Sequence, residues 1–110
     1  MKESKIYLGD ILDSINKIES YVSDLSDMDF VENFAIQDAV MRRLEIIGEA
    51  VKHLPSEIKD NNQNIPWKNI AGMRDILIHE YAGVQMERVW RTVKEDLPPL
   101  KQVVLKLIGE

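Results

Sequence analysis

Apolar residues recur along this chain at steps of three and four. Leu8, Ile11, Ile15, Ile18, Val22 and Leu25 form the first series, the seam of an amphipathic helix that packs along one narrow stripe. Each member, once fully buried, contributes roughly 1.5–3 kcal/mol. The stretch SDLSDMD at 23–29 breaks the series with turn and capping residues, and Asp27 or Asp29 can cap the next helix. That helix is predicted from about Phe30 to Leu54. Phe34, Val40, Met41, Leu44, Ile47, Val51 and Leu54 keep helical spacing, while Val31, Ala35, Ile36, Ala39, Ile46 and Ala50 widen the apolar face. A helix that is apolar on more than one face needs more than one partner, and part of that face can meet a second subunit. Gly48 lies inside it, where glycine costs about 1 kcal/mol relative to alanine. Either the position simply tolerates glycine, or another backbone or a ligand approaches closely there.

Pro55 ends this helix. The connector PSEIKDNNQNIP at 55–66 is polar, with one helical turn expected at Ser56–Asp60. Pro66 suits the first turn of a third helix carrying Trp67, Ile70, Met73 and Leu77, with Gly83 as its C-terminal stop. A fourth helix is expected from Gln85, with Met86, Val89, Trp90, Val93 and Leu97 on one face. Pro98 and Pro99 should kink or end it before Leu100, Val103, Val104, Leu107 and Ile108 resume the pattern. No strand alternation, repeat or low-complexity segment interrupts this reading. The predicted fold is all-α, a four- or five-helix bundle in one domain spanning 1–110.

Composition narrows the classes. Cysteine is absent, which removes disulfide scaffolds and cysteine-ligated metal sites and fits a cytoplasmic protein. The N-terminal residues carry charges throughout and lack the apolar core of a signal peptide. No apolar run approaches a membrane span, so no membrane partner is expected. A net charge of −5 argues against nonspecific coating of nucleic acid. The acidity is local, however: residues 1–32 carry eight acids and three bases, and residues 33–110 carry eleven of each. A basic face beyond the first helix therefore stays open, with Arg42, Arg43, Lys52, Lys68, Arg74, Arg88 and Arg91 as candidates. The competing reading is that they are solvated surface charges.

The unusual chemistry is in GMRDILIHEYAG at 72–83. Arg74, Asp75, His79 and Tyr81 stand among apolar residues, where they either solvate a helix end or make a site. At about 100° per residue, Arg74 and Tyr81 share nearly one face and Arg74 and His79 lie roughly 140° apart. Asp75 and His79, four apart, can meet. Arg74 and His79 cannot both point into one cleft on a straight helix. They can converge if the helix loosens before Gly83, or if two subunits pair these helices. A histidine here can exchange a proton near neutrality, and an arginine can hold a phosphate and stabilise its transition-state charge. One arginine and one histidine cannot hold a catalytic metal, and His53 is far away in sequence, so no metal and no cofactor are expected. Gly48, Glu49 and Arg43 can line the same cleft; Glu49 can equally be a surface carboxylate or a partner for Lys52 or Arg43. Trp67 and Trp90 read as core or interface anchors.

Arg74, four residues, His79, one residue and Tyr81 together resemble the R-x4-H-x-Y motif of HepT-like proteins in the HEPN superfamily. MRRLEIIGEAVKHLP at 41–55, IPWKNIAGMRDILIHEYAG at 65–83 and VWRTVKEDLPPLKQ at 89–102 resemble that family's second-helix, third-helix and C-terminal segments. The resemblance implies a small helical bundle that forms a homodimer, with the two motifs lining a cleft at the interface. It implies a toxin of a toxin–antitoxin pair, a metal-independent endoribonuclease with transfer RNA among its targets. Arg74 and His79 would be the catalytic pair. Asp75, at a position that is often polar, could orient His79, although its charge would repel RNA. Tyr81 would be the residue that a minimal nucleotidyltransferase antitoxin modifies with AMP. The resemblance also admits a different class of function: a non-catalytic helical module that binds a nucleotidyltransferase and helps present its substrate.

Overall fold

A computed structural model describes residues 2–79 and 85–110. Among these residues there are helices and turns and no strand, as the spacing of apolar residues predicts. Helix α1 (Lys2–Val22) buries Leu8, Ile11, Ile15, Ile18 and Val22 against the core. Leu25 falls beyond its end and packs half-buried from the following turn, its N–H bonded to the Val22 carbonyl.

The helix expected from Phe30 to Leu54 is two helices. Helix α2 (Asp27–Glu32) and helix α3 (Phe34–Lys52) meet at Asn33, which is extended at φ −101° and ψ 91°. Local polar chemistry explains the break. Ser26, not Asp27 or Asp29, is the N-cap of α2: its hydroxyl accepts from the Asp29 N–H, and the Asp29 carboxylate accepts from the Ser26 N–H. This reciprocal pair satisfies two donors that a helix start leaves unpaired. The Asn33 side chain then caps α3 by accepting from the Ile36 N–H at 3.0 Å. Buried Gln37 donates to the carbonyls of Phe30 and Val31 at 2.9 and 2.7 Å, tying down the end of α2, where the Phe30 carbonyl also accepts from the Asn33 N–H. Phe30 is fully buried and stacks on Trp90 at 4.6 Å. The Trp90 indole N–H donates to the Asp27 carboxylate. Trp90 is thus a core anchor, as is Trp67, whose N–H donates to the Asn62 carbonyl.

Helix α4 (Ser56–Asp60) is the expected single turn, with Pro55 at its N-cap. Helix α5 (Trp67–His79) follows Pro66 and buries Trp67, Ile70, Met73 and Leu77. The expected stop at Gly83 lies outside the described residues. Helix α6 (Met86–Arg91) starts after Gln85, as predicted. Instead of stopping at Pro98 and Pro99, the chain widens into a π-helical turn over Thr92–Asp96 and continues as helix α7 (Leu97–Gly109). Proline lacks an N–H, and its ring clashes with the carbonyl four residues back. The wider turn moves the preceding carbonyls out of register, and the prolines occupy the first turn of α7, where no intrahelical donor is needed.

Helix α3 is the centre of the bundle. It packs on α1, on α5 and on α2; α7 packs on α1, and α2 also touches α6. The position of α5 is therefore set by α3, and that packing builds the candidate site. No helix among the described residues is long and apolar enough to cross a membrane.

Candidate functional site

The crossing of α5 over α3 is close at Gly48. A β-carbon built there would lie 2.5 Å from Cβ of Arg74 and 3.1 Å from the Ile70 carbonyl oxygen. Of the two readings of this glycine, close backbone approach is the one observed. Because nothing projects from position 48, the root of the Arg74 side chain rests directly on α3.

From that root the guanidinium reaches two carboxylates. Its Nε is 2.8 Å from Glu49 Oε2, and its Nη1 donates to Asp75 Oδ1 at 3.0 Å. Asp75 Oδ1 also accepts from Lys52 Nζ at 2.8 Å. These hydrogen bonds, Lys52 first and Arg74 second, hold the Asp75 carboxyl below the usual carboxylate range. The other oxygen of Glu49, Oε1, is 3.1 Å from His53 Nε2. His53 stacks on Tyr7 of α1, with ring centroids 4.9 Å apart and planes inclined by 12°. A chain of contacts thus runs from Tyr7 through His53, Glu49 and Arg74 to Asp75 and Lys52. Beside it is an open groove of about 260 Å³, whose charged lining comprises Asp10, Arg42, Glu45, Glu49 and Arg74.

The residues singled out in the sequence are brought together only in part. Arg74 is 30% exposed at its side chain and held by its neighbours. His79, the last residue of α5, is exposed, and no hydrogen bond or ion pair reaches it among the described residues. The two diverge, as an angle of roughly 140° on one helix requires. Asp75 does not meet His79: its carboxylate turns instead to Lys52 and Arg74, two cations close enough to outcompete an i,i+4 neighbour. Tyr81 lies outside the described residues. Of the candidate basic residues, Arg42 pairs with Glu45 at 3.2 Å and Lys52 with Asp75. Arg43 is half-buried, while Lys68, Arg88 and Arg91 are exposed.

Glu49 is the residue whose partner the sequence did not reveal. It pairs with Arg74 and His53 rather than with Lys52 or Arg43. Its neighbour Gly48 was the available signal, since a glycine inside an apolar helix marks where another element comes close.

Comparison with known proteins bears on what this arrangement does. The family model described as "Ribonuclease HepT-like" matches residues 11–107. The chain is 47% identical over 108 residues to a Thermococcus cleftensis protein named "Probable ribonuclease HepT", covering 97% of this chain and 98% of that one. It is 50% identical over 109 residues to a Methanocaldococcus jannaschii protein named "Gamma-glutamylcyclotransferase and putative RNase". That match covers 99% of this chain but 49% of the relative, so the chain spans about half of that protein's length. No solved structure matches the chain.

Proposed function

The chain belongs to the HepT-like ribonuclease family, and from that membership we propose that it is a metal-independent endoribonuclease, the toxin of a toxin–antitoxin pair. The observation that carries the reading is the placement of Arg74, rooted on Gly48 and held by carboxylates at the rim of a groove, five residues before an exposed His79 whose side chain has no partner among the described residues. Arg74 and His79 are the catalytic pair. His79 assists attack of the ribose 2′-hydroxyl on the adjacent phosphorus or protonates the departing 5′-oxygen. Arg74 stabilises the charge gathered on the phosphorane-like transition state. The products carry a 2′,3′-cyclic phosphate and a 5′-hydroxyl.

The divergence of Arg74 and His79 on one helix supports a homodimer, in which a second copy completes the cleft. The substrate is RNA, with transfer RNA the first to test. A minimal nucleotidyltransferase is the proposed antitoxin, adding AMP to Tyr81. An adenylyl group there puts bulk and a phosphate within the motif that should receive RNA. The protein acts in the cytoplasm.

Two observations favour a second reading. The first 32 residues carry a net charge of −5, and two nitrogens of Arg74 already face carboxylates. A non-catalytic module that binds a nucleotidyltransferase and presents its substrate tolerates both. Incubation of purified, unmodified protein with total transfer RNA in excess EDTA, beside His79→Ala, separates the two. The ribonuclease reading expects cleavage that survives EDTA and is lost in a folded His79→Ala protein. No cleavage of any of several RNAs by the unmodified protein would favour the binding module.

A further inference from the structure

We infer that Glu49 is a positioning residue for Arg74, a role that rests on the ribonuclease reading above. Arginine has a long, freely rotating side chain, and a guanidinium that stabilises a transition state must be held to about 0.5 Å and 10–20°. Two contacts do this at opposite ends of the side chain. Gly48 lets the Arg74 β-carbon seat against α3, which fixes where the side chain starts. Glu49, the next residue on the same helix, meets Nε at 2.8 Å, which fixes where the head lies. Asp75 adds a second point at Nη1.

Glu49 is itself held. Its second oxygen meets His53, one turn further along α3, and His53 is stacked on Tyr7 of α1. The clamp therefore spans α1, α3 and α5, so the guanidinium is referenced to the bundle rather than to its own helix alone. Energetics favour this use over simple stabilisation. The pair is 30% and 48% exposed at its side chains, and exposed ion pairs contribute about 0–1 kcal/mol to folding. A charge pair of that size adds little to a domain, whereas misplacing a catalytic group by about 1 Å costs on the order of a hundredfold in rate.

The test compares wild-type protein with Glu49→Ala and Glu49→Gln by side-chain NMR relaxation at Arg74 and by RNA cleavage kinetics. The wild-type Nε–Hε bond should be ordered, and its order parameter should fall below about 0.6 in Glu49→Ala. Turnover should fall roughly tenfold to a hundredfold with KM changed less than about threefold, because the lost interaction acts in the transition state. An unchanged order parameter overturns the proposal. So does a lower KM with undiminished turnover, which would make Glu49 merely a carboxylate that repels RNA. If Glu49→Ala does not fold, Glu49→Gln, which keeps the shape and loses the charge, carries the same comparison. If wild-type protein cleaves no RNA, the ribonuclease reading fails, and the relaxation measurement still decides whether Glu49 holds Arg74.

Discussion

Gly48 and Arg74 occupy space that two side-chain roots cannot share: a β-carbon on residue 48 would lie 2.5 Å from the one on Arg74. The glycine is thus a condition of the α3–α5 crossing, and the crossing presents Arg74 beside Glu49 and the groove. A buried backbone detail and the proposed chemistry are the same feature.

Gly48→Ala puts two effects in opposition. Alanine favours helix by about 1 kcal/mol over glycine, while inserting a methyl group into a closed contact costs typically 1–3 kcal/mol. Neither obstacle is the end of a flexible chain, since one is a β-carbon and the other a backbone carbonyl. The clash should win, and urea unfolding should show net destabilisation. A variant more stable than wild type would mean that the helices separate without cost.

Asp75 should make stability depend on acid. Its carboxyl is held below the ordinary range by Lys52 and then by Arg74. A carboxyl depressed on folding contributes stability above its unfolded pKa, near 3.9, and that contribution is lost as pH falls through the lower folded value. The stability gap between wild type and Asp75→Asn should be flat from neutral pH to about pH 5 and shrink below about pH 4. An NMR titration of Asp75 should move upward in Lys52→Met. No movement would show that the Lys52 contact in the structure does not persist in solution.

Gln37→Met removes a buried donor: the Phe30 carbonyl keeps the Asn33 N–H, and the part-buried Val31 carbonyl loses its side-chain partner. Leaving one such acceptor unpaired costs about 1–3 kcal/mol. Chemical denaturation should show a loss of that order even though methionine matches the shape and is more apolar. Wild-type stability in this variant would mean that water replaces the amide.

His79→Ala should separate stability from activity. The side chain is exposed, with no hydrogen bond or ion pair among the described residues, so unfolding free energy should stay within about 0.5 kcal/mol of wild type. Cleavage of RNA should nevertheless disappear. A marked fall in melting temperature would place His79 in a structural contact and weaken its assignment as a proton-transfer group.

Much of the bundle was legible because burial imposes periodicity. The α1 seam, the single turn at Ser56–Asp60, the start of α5 after Pro66 and the start of α6 after Gln85 are all local patterns. The break at Asn33 was hidden because apolar spacing continues across it, and Phe30 and Val40 are both fully buried on either side. Ser26 and Asp29 form the capping signal that marked the helix start. Pro98 and Pro99 pointed correctly to irregularity, but not to the π-helical turn that absorbs it.

The candidate site divides along the same line. The sequence by itself determined an all-α chain, its apolar faces, and an arginine and a histidine too far apart in angle to share a cleft on one straight helix. These follow from the geometry of a single helix, which each residue carries with it. Only the tertiary structure decided that Gly48 admits α5, that Arg74 meets Glu49, and that Asp75 turns to Lys52 rather than His79. Those pairings join residues 23 to 26 positions apart in sequence, and no local spacing encodes which charged group wins. That choice is made by the distance between packed helices, and the side chain that is missing at Gly48 sets that distance.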